Sequence, residues 1–308
     1  MAKLTTRRDF LKHTIVAAAG LAATTGLGGT AMAAKRTYDI SLAGWSLHRA
    51  IGKGADQKDM LEMPQITSEE FGIQAIELVN QMLKSSDAAY MKKLAANASK
   101  HDVKILLIMI DGAGDAGSTR DRSREKAIEN HKNWIDIAAD LGCHSVRMNW
   151  GGAPEDFLTN KDALEQFVQR SVPSFEAIAE HGDKKGLNVI IENHWGPSSY
   201  PAILVDLIKR VDNPRFGTLP DFGNFPDDVD IYDAVNRMMP YAKAVSAKCY
   251  DFDPATGEET KLDYERLIGN VVDKHGYHGY IGIEYEGNRM SEYDGIKACK
   301  VLLEKLKS

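Results

Sequence analysis

The sequence predicts a single-domain (β/α)8 TIM barrel over residues 35–308, preceded by an export signal over residues 1–33. Three observations predict it. Short apolar β-like runs recur about every thirty to forty residues, separated by segments of helical spacing. Such alternation means βαβ units, right-handed crossovers and a parallel sheet. The chain beyond the signal has the roughly 250 or more residues that such a barrel needs, with no Pro/Gly/Ser linker dividing it. Three of the later runs each end in a carboxylate, at Glu192, Asp221 and Glu284. The C-terminal ends of barrel strands are where this architecture carries its chemistry.

In chain order, the N-terminus comes first. It reads Thr5-Thr6-Arg7-Arg8-Asp9-Phe10-Leu11-Lys12, then an apolar Ala/Gly/Thr/Leu-rich stretch, then Ala31-Met32-Ala33. An arginine pair before an h-region and a small-x-small site resembles a twin-arginine signal, cleaved near Ala33/Ala34. That route exports folded proteins, so a cofactor can be inserted first; a periplasmic or otherwise exported protein is expected, with no stable membrane insertion after cleavage.

The β-like runs are residues 38–44, 75–79, 104–110, 145–149, 189–192, 217–221, 244–248 and 280–284. Each is a short apolar run bounded by turn residues, the signature of a strand buried on both faces. Helical spacing covers residues 88–101, 162–185, 203–211, 231–239, 264–274 and 293–307. The glycine-rich polar stretch 111–122 is expected to form a flexible lid over the mouth. An open doubly wound sheet would want a Gly-rich phosphate turn after its first strand. Gly44-Trp45-Ser46-Leu47-His48-Arg49 stands there instead, so no dinucleotide site is expected.

A net charge of −6, with 43% hydrophobic and 27% charged residues, allows a sizeable core and argues against nucleic acid, which needs clustered Lys/Arg. Cys143, Cys249 and Cys299 form an odd set without a pairing pattern and are expected as free thiols.

If all eight strand ends face one mouth, they offer Trp45 and His48, Glu77 and Asn80, Asp111, then Asn149 and Trp150. The later strands add Glu192, Asn193 and His194, Asp221 and Asn224, Ser246, Lys248 and Tyr250, and Glu284 with Glu286. Aromatic rings beside carboxylates and amides suit a carbohydrate, which has hydroxyls to bond and C–H faces to stack. Trp45, His48, Glu77, Asn149, Asn193, Asn224, Tyr250 and Glu286 are therefore the candidate substrate contacts. Three converging carboxylates would repel one another unless a cation or shared protons offset the charge. The remaining histidines His101, His131, His144, His181, His275 and His278 are expected on solvated surface.

The motifs Val189-Ile190-Ile191-Glu192-Asn193-His194, Leu219-Pro220-Asp221-Phe222-Gly223-Asn224, Val245-Ser246-Ala247-Lys248 and Ile281-Gly282-Ile283-Glu284-Tyr285-Glu286-Gly287 resemble the xylose isomerase-like TIM-barrel superfamily, in its sugar phosphate isomerase/epimerase branch. The resemblance spans essentially residues 35–308. It implies one divalent ion, commonly Mn²⁺, Mg²⁺ or Co²⁺ with Zn²⁺ less favoured, held by Glu, Asp, His and Glu from the fifth to eighth strands. By position, Glu192, Asp221 and Glu284 supply the carboxylates, and Ser246 stands where the family has histidine. A hydroxyl is a poorer ligand than imidazole, so a water or a neighbour such as His194 would complete the shell. Lys248, two residues on and on the same strand face, has two roles open to it: polarising a substrate oxygen or pairing with a carboxylate.

The implied chemistry is isomerisation or epimerisation of a sugar or sugar derivative by proton abstraction beside a carbonyl, with Glu192, Glu284, His194 and Lys248 as catalytic candidates. Lyase or hydratase action on a 3-keto-glycoside begins with the same proton and is the alternative. A non-catalytic carbohydrate-binding barrel is a third reading. A nuclease, which shares this barrel, would want more histidines at the strand ends. An exported enzyme with few mouth cations beyond Arg49, Arg147 and Lys248 is expected to take a non-phosphorylated carbohydrate. A homodimer is left open.

Overall fold

The computed structural model describes residues 35–307, so the expected signal over residues 1–33 lies outside the described residues. Eight strands run β1 Asp39–Ala43, β2 Ala75–Val79, β3 Lys104–Ile110, β4 Ser145–Met148, β5 Asn188–Glu192, β6 Phe216–Leu219, β7 Val245–Cys249 and β8 Tyr280–Tyr285. They pair in parallel in the order β6-β5-β4-β3-β2-β1-β8-β7. Between β6 and β7 the seam is closed by separate bonds: Lys243 N donates to Thr218 O, Ser246 N to Pro220 O and Phe222 N to Ser246 O. Pro220 has no N–H, which interrupts a regular ladder at that point. The predicted (β/α)8 barrel is therefore the observed fold.

The helices are α1 Met63–Phe71, α2 Ala88–Lys100, α3 Asp121–Asp140, α4 Lys161–Lys185, α5 Pro201–Val211, α6 Ile231–Met238, α7 Tyr264–Ile268 and α8 Glu292–Lys305. A π-helical turn, Gly269–Lys274, extends α7. Both faces of the central strands are covered, which favours apolar residues; every residue of β2 is buried, Glu77 included. Phe167 of α4 stacks on Trp150, while Phe175 meets Trp150 edge-on and packs at a tilt on Phe216, seating α4 over β4 to β6.

Two helices escaped the sequence reading. α3 buries only Ala127, His131, Ile135 and Ala138, a thin stripe on a highly charged helix. His131 is thus core rather than solvated surface, with Nδ1 against the Ala127 carbonyl. α1 is short, with proline in its first turn and Gly72 closing it at a φ of 62°.

The segment before α3 is also tied down, contrary to the expected flexible lid. Gly117 N donates to Gly151 O, Arg170 Nε to Gly117 O, and Asn130 Nδ2 to Ala113 O. All three cysteines are free, as expected, and all three are buried. Among the described residues no helix is long and apolar enough to cross a membrane.

Candidate active site

Glu192, at the end of β5, Asp221, just past β6, and Glu284, in β8, present carboxylate oxygens that all lie within 4.8 Å of one another, and all three residues are buried. Local backbone fixes each of them. Asn193 donates from Nδ2 to the Asp221 carbonyl and accepts from the Asp221 amide at 2.8 Å, which clamps the end of β5 to the chain beyond β6. Asp221 Oδ1 in turn accepts from Gly223 N and Asn224 N, both at 2.8 Å. Asn224 Nδ2 then donates to Glu192 Oε1 at 2.9 Å. Asn193 was a candidate substrate contact; fully buried, with both amide atoms engaged, it braces the two strand ends instead.

Strands β7 and β8 supply the counter-charge. Their register places Lys248 opposite Glu284. Lys248 Nζ donates to Glu284 Oε1 at 2.8 Å and lies 3.1 Å from Glu286 Oε1 and 4.0 Å from Asp221 Oδ2. Ser246 Oγ lies 2.7 Å from Asp221 Oδ2 and 2.9 Å from Glu284 Oε2. Of the two roles open to Lys248, the structure shows the pairing with carboxylates.

A second buried cation stands on the other flank. Arg147, in β4, donates from Nη1 to Asp111 Oδ1 at 2.5 Å. Its Nε is 2.7 Å from Glu192 Oε2, but without the alignment of a hydrogen bond, so this contact is an ion pair only. Arg147 is therefore an internal counter-ion rather than a mouth cation awaiting phosphate. Asn149 Nδ2 also donates to Asp111 Oδ1, at 2.7 Å. Because a carboxylate only accepts, that bond orients the Asn149 amide and turns its Oδ1 to His194 Nδ1, 3.1 Å away. In this network Nδ1 of neutral His194 carries the proton and Nε2 is a bare acceptor. Asn149, a candidate substrate contact, thus orients His194.

Other candidates are placed as follows. Glu77 accepts from Ser41 Oγ at 2.6 Å and leaves Oε2 without a partner. A Cβ at Gly282 would meet that carboxylate at closer than contact distance, so any larger residue there would have to displace Glu77. Trp45 is half-buried against the core, and His48 Nδ1 approaches the Trp45 carbonyl at 2.7 Å and Glu292 at 3.5 Å. Half-buried Tyr250 reaches the Gly223 carbonyl at 3.4 Å. Glu286 is 37% exposed beside Lys248. Sequence reasoning missed Ser41 and the internal role of Arg147; a lone charged residue in a four-residue buried strand was the available signal.

The electrostatics divide the carboxylates. Burial pushes Glu77 up to about 7, against the Ser41 hydroxyl bond. Burial pushes Glu192 up to about 7 although Arg147 opposes it, and Asp221 up to about 8 although Lys248 opposes it. Burial also works against ionised Glu284 and Asp111, but Lys248 holds the former, and Arg147 the latter, below the usual range. Burial, then Arg147 and Lys248, lowers His194.

A pH dependence follows for the metal-free protein. Glu77, Glu192 and Asp221 bind protons more tightly folded than unfolded, so their stabilising contribution is full below about pH 4 and lost as pH rises through about 7 to 8. Glu284 and Asp111, shifted downward, titrate below that window. The thermal midpoint of chelator-treated protein is expected to fall from about pH 5 to about pH 8, by about 2–4 °C for each kcal/mol lost. A midpoint flat or rising over that range would contradict the account.

The residues fit a divalent ion. The donor set is all oxygen, three carboxylates and a hydroxyl, as hard cations prefer. Glu77 Oε2, Asp111 Oδ2 and Glu192 Oε2 are buried acceptors without a hydrogen-bond donor, the last of them ion-paired with Arg147 Nε, so the site keeps spare acceptor capacity.

Comparison with known proteins agrees with the barrel fold. No curated protein gives a significant sequence match. Among solved structures, the chain is similar to an L-ribulose 3-epimerase (TM-score 0.70, 14% identity, 88% of this chain and 94% of that one). It is similar to a 3-keto-D-glucoside 4-epimerase from E. coli (TM-score 0.68, 13% identity, 87% and 99% covered). A xylose isomerase-like TIM barrel protein from Mycobacterium smegmatis in complex with magnesium is also similar (TM-score 0.64, 18% identity, 88% and 96% covered). At these identities the likeness is one of fold. The family model described as xylose isomerase-like TIM barrel matches residues 67–306, most of the chain, and the chain therefore belongs to the xylose isomerase-like TIM barrel family.

Proposed function

We propose that the protein is a divalent-metal-dependent isomerase or epimerase of a sugar or sugar derivative, moving a proton at the carbon beside a carbonyl. The observation that carries this is the buried Glu192, Asp221 and Glu284 triad at the strand ends. These three would hold one ion, Mn²⁺, Mg²⁺ or Co²⁺, which when bound supplies Lewis-acid polarisation of the substrate carbonyl and its neighbouring hydroxyl. Glu192 and Glu284 are the groups that take and return the proton, as general base and acid from two sides of the site. His194, held through Nδ1, offers Nε2 to a substrate hydroxyl. Arg147 and Lys248 are each 1% exposed and engaged with carboxylates, and Arg49 lies 3.4 Å from Glu292. That favours a neutral sugar over a phosphorylated one.

The test is solvent hydrogen exchange. Purified protein loaded with Mn²⁺ is incubated in D₂O with ketohexoses, ketopentoses and 3-keto-glycosides, and deuterium at the carbon beside the carbonyl is followed by NMR. Exchange with a ketose identifies the isomerase or epimerase. Exchange with a 3-keto-glycoside, followed by loss of its aglycone, identifies the lyase reading instead. No exchange with any of them under any metal removes the enzymatic proposal in favour of a carbohydrate-binding barrel. Export through the twin-arginine route is part of the same proposal and rests on Arg7-Arg8 and Ala31-Met32-Ala33. A cell fraction retaining residue 1 at the N-terminus would oppose it.

A further inference from the structure

The seventh strand holds an internal cation, Lys248, two residues past Ser246, where a fourth ligand is expected. We propose that Lys248 is the counter-ion of the metal-free centre, releasing Glu284 and Asp221 to an arriving divalent ion while it stays paired to Glu286, and that this exchange sets the metal affinity. The inference rests on the metal site proposed above and deepens it.

Ser246 cannot neutralise the carboxylates alone. Its hydroxyl carries one proton, yet Asp221 Oδ2 and Glu284 Oε2 lie on it at 2.7 and 2.9 Å, so at most one of them receives that proton. The charge is balanced by Lys248, 1% exposed, with Nζ 2.8 Å from Glu284 Oε1 and 4.0 Å from Asp221 Oδ2. Two of the three candidate ligands thus face an ammonium. An ion drawn to all three would sit within a few ångströms of that ammonium, where like charges in a buried site repel strongly. Glu286 gives the lysine somewhere to remain: its Oε1 is 3.1 Å from Nζ, and it is 37% exposed while the triad is buried. Holding Glu286 and dropping Glu284 moves the positive charge outward and frees two carboxylates at once. A metal-free centre kept in register by its own lysine is therefore preorganised, but at the cost of weaker metal binding.

The experiment is a Mn²⁺ titration of chelator-stripped protein, reading free Mn²⁺ by EPR, for wild type, Lys248→Met and Glu286→Gln, with circular dichroism confirming the fold of each. Lys248→Met is expected to bind Mn²⁺ about tenfold or more tightly than wild type, because the competing charge is gone. Glu286→Gln is expected to bind it more weakly, because the lysine keeps only the triad as partner. Unchanged or weaker binding in Lys248→Met overturns the inference. Should that variant fail to fold, unchanged binding in Glu286→Gln overturns it. Binding that ignores both substitutions leaves the metal site standing and removes only the lysine exchange. No Mn²⁺ bound by any folded form overturns both.

Discussion

Replacing Asp221 by asparagine is expected to remove metal binding and solvent exchange together while leaving the fold in place. Asp221 Oδ1 accepts from the amides of Gly223 and Asn224, a turn that an asparagine Oδ1 can also accept. What disappears is the charge, from a carboxylate that faces both the Ser246 hydroxyl and the Lys248 ammonium, as Glu284 also does. Loss of a residue that merely supports a ligand costs about 10–100-fold in metal affinity or activity, and loss of a ligand is expected to exceed that. The metal-free variant should be at least as stable as wild type at about pH 8, since burial opposes ionised Asp221 in the native fold. The measurements are the Mn²⁺ titration and the D₂O exchange already described, beside a thermal melt in chelator. A variant that binds Mn²⁺ like wild type would place the ion elsewhere and remove the triad as the metal site.

The parts of this site that were legible in the sequence are those set by strand period alone. A run such as Asn188–Glu192 is apolar until it emerges from the barrel, so the emerging carboxylate announces itself. The departure at Ser246 was legible only through the resemblance, which implies a histidine at that position. Partnerships across strands were not, because they depend on register. That Lys248 answers Glu284 follows from the β7–β8 pairing, and that Asn193 clamps Asp221 follows from where β5 and the chain beyond β6 converge. Arg147 looked like a cation open to substrate; parity inside a four-residue strand turns it inward between Asp111 and Glu192. α3 was invisible because its buried stripe is four residues wide over five turns of charged sequence, one of them a histidine. The segment before it looked like a lid because glycine and polar residues mark loops; its tethers, such as Arg170 to the Gly117 carbonyl, come from a distant helix.

Arg147→Met is expected to cost about 3–5 kcal/mol of stability, the usual consequence of removing one partner from a buried ion pair. The methionine fills much of the same volume, so the loss is electrostatic rather than a cavity. Arg147 is 1% exposed and answers both Asp111 and Glu192; without it two carboxylates remain buried with no cation on that flank. The cost should depend on pH. Glu192 takes a proton at about 7 even in wild type, and without Arg147 it would take one more readily, so the variant is expected to suffer less at about pH 5 than at about pH 8. Adding Glu192→Gln should recover part of the loss, because the stranded charge is then removed, whereas the two substitutions would add if they acted separately. Chemical denaturation of the two single variants and the double variant, in chelator at both pH values, measures this. A single variant within about 1 kcal/mol of wild type would mean that water or protons already compensate the cluster. The contrast with Asp221→Asn separates the roles of the two flanks: the β4 side holds the site together whether or not an ion is bound, and the β6–β8 side determines whether one binds.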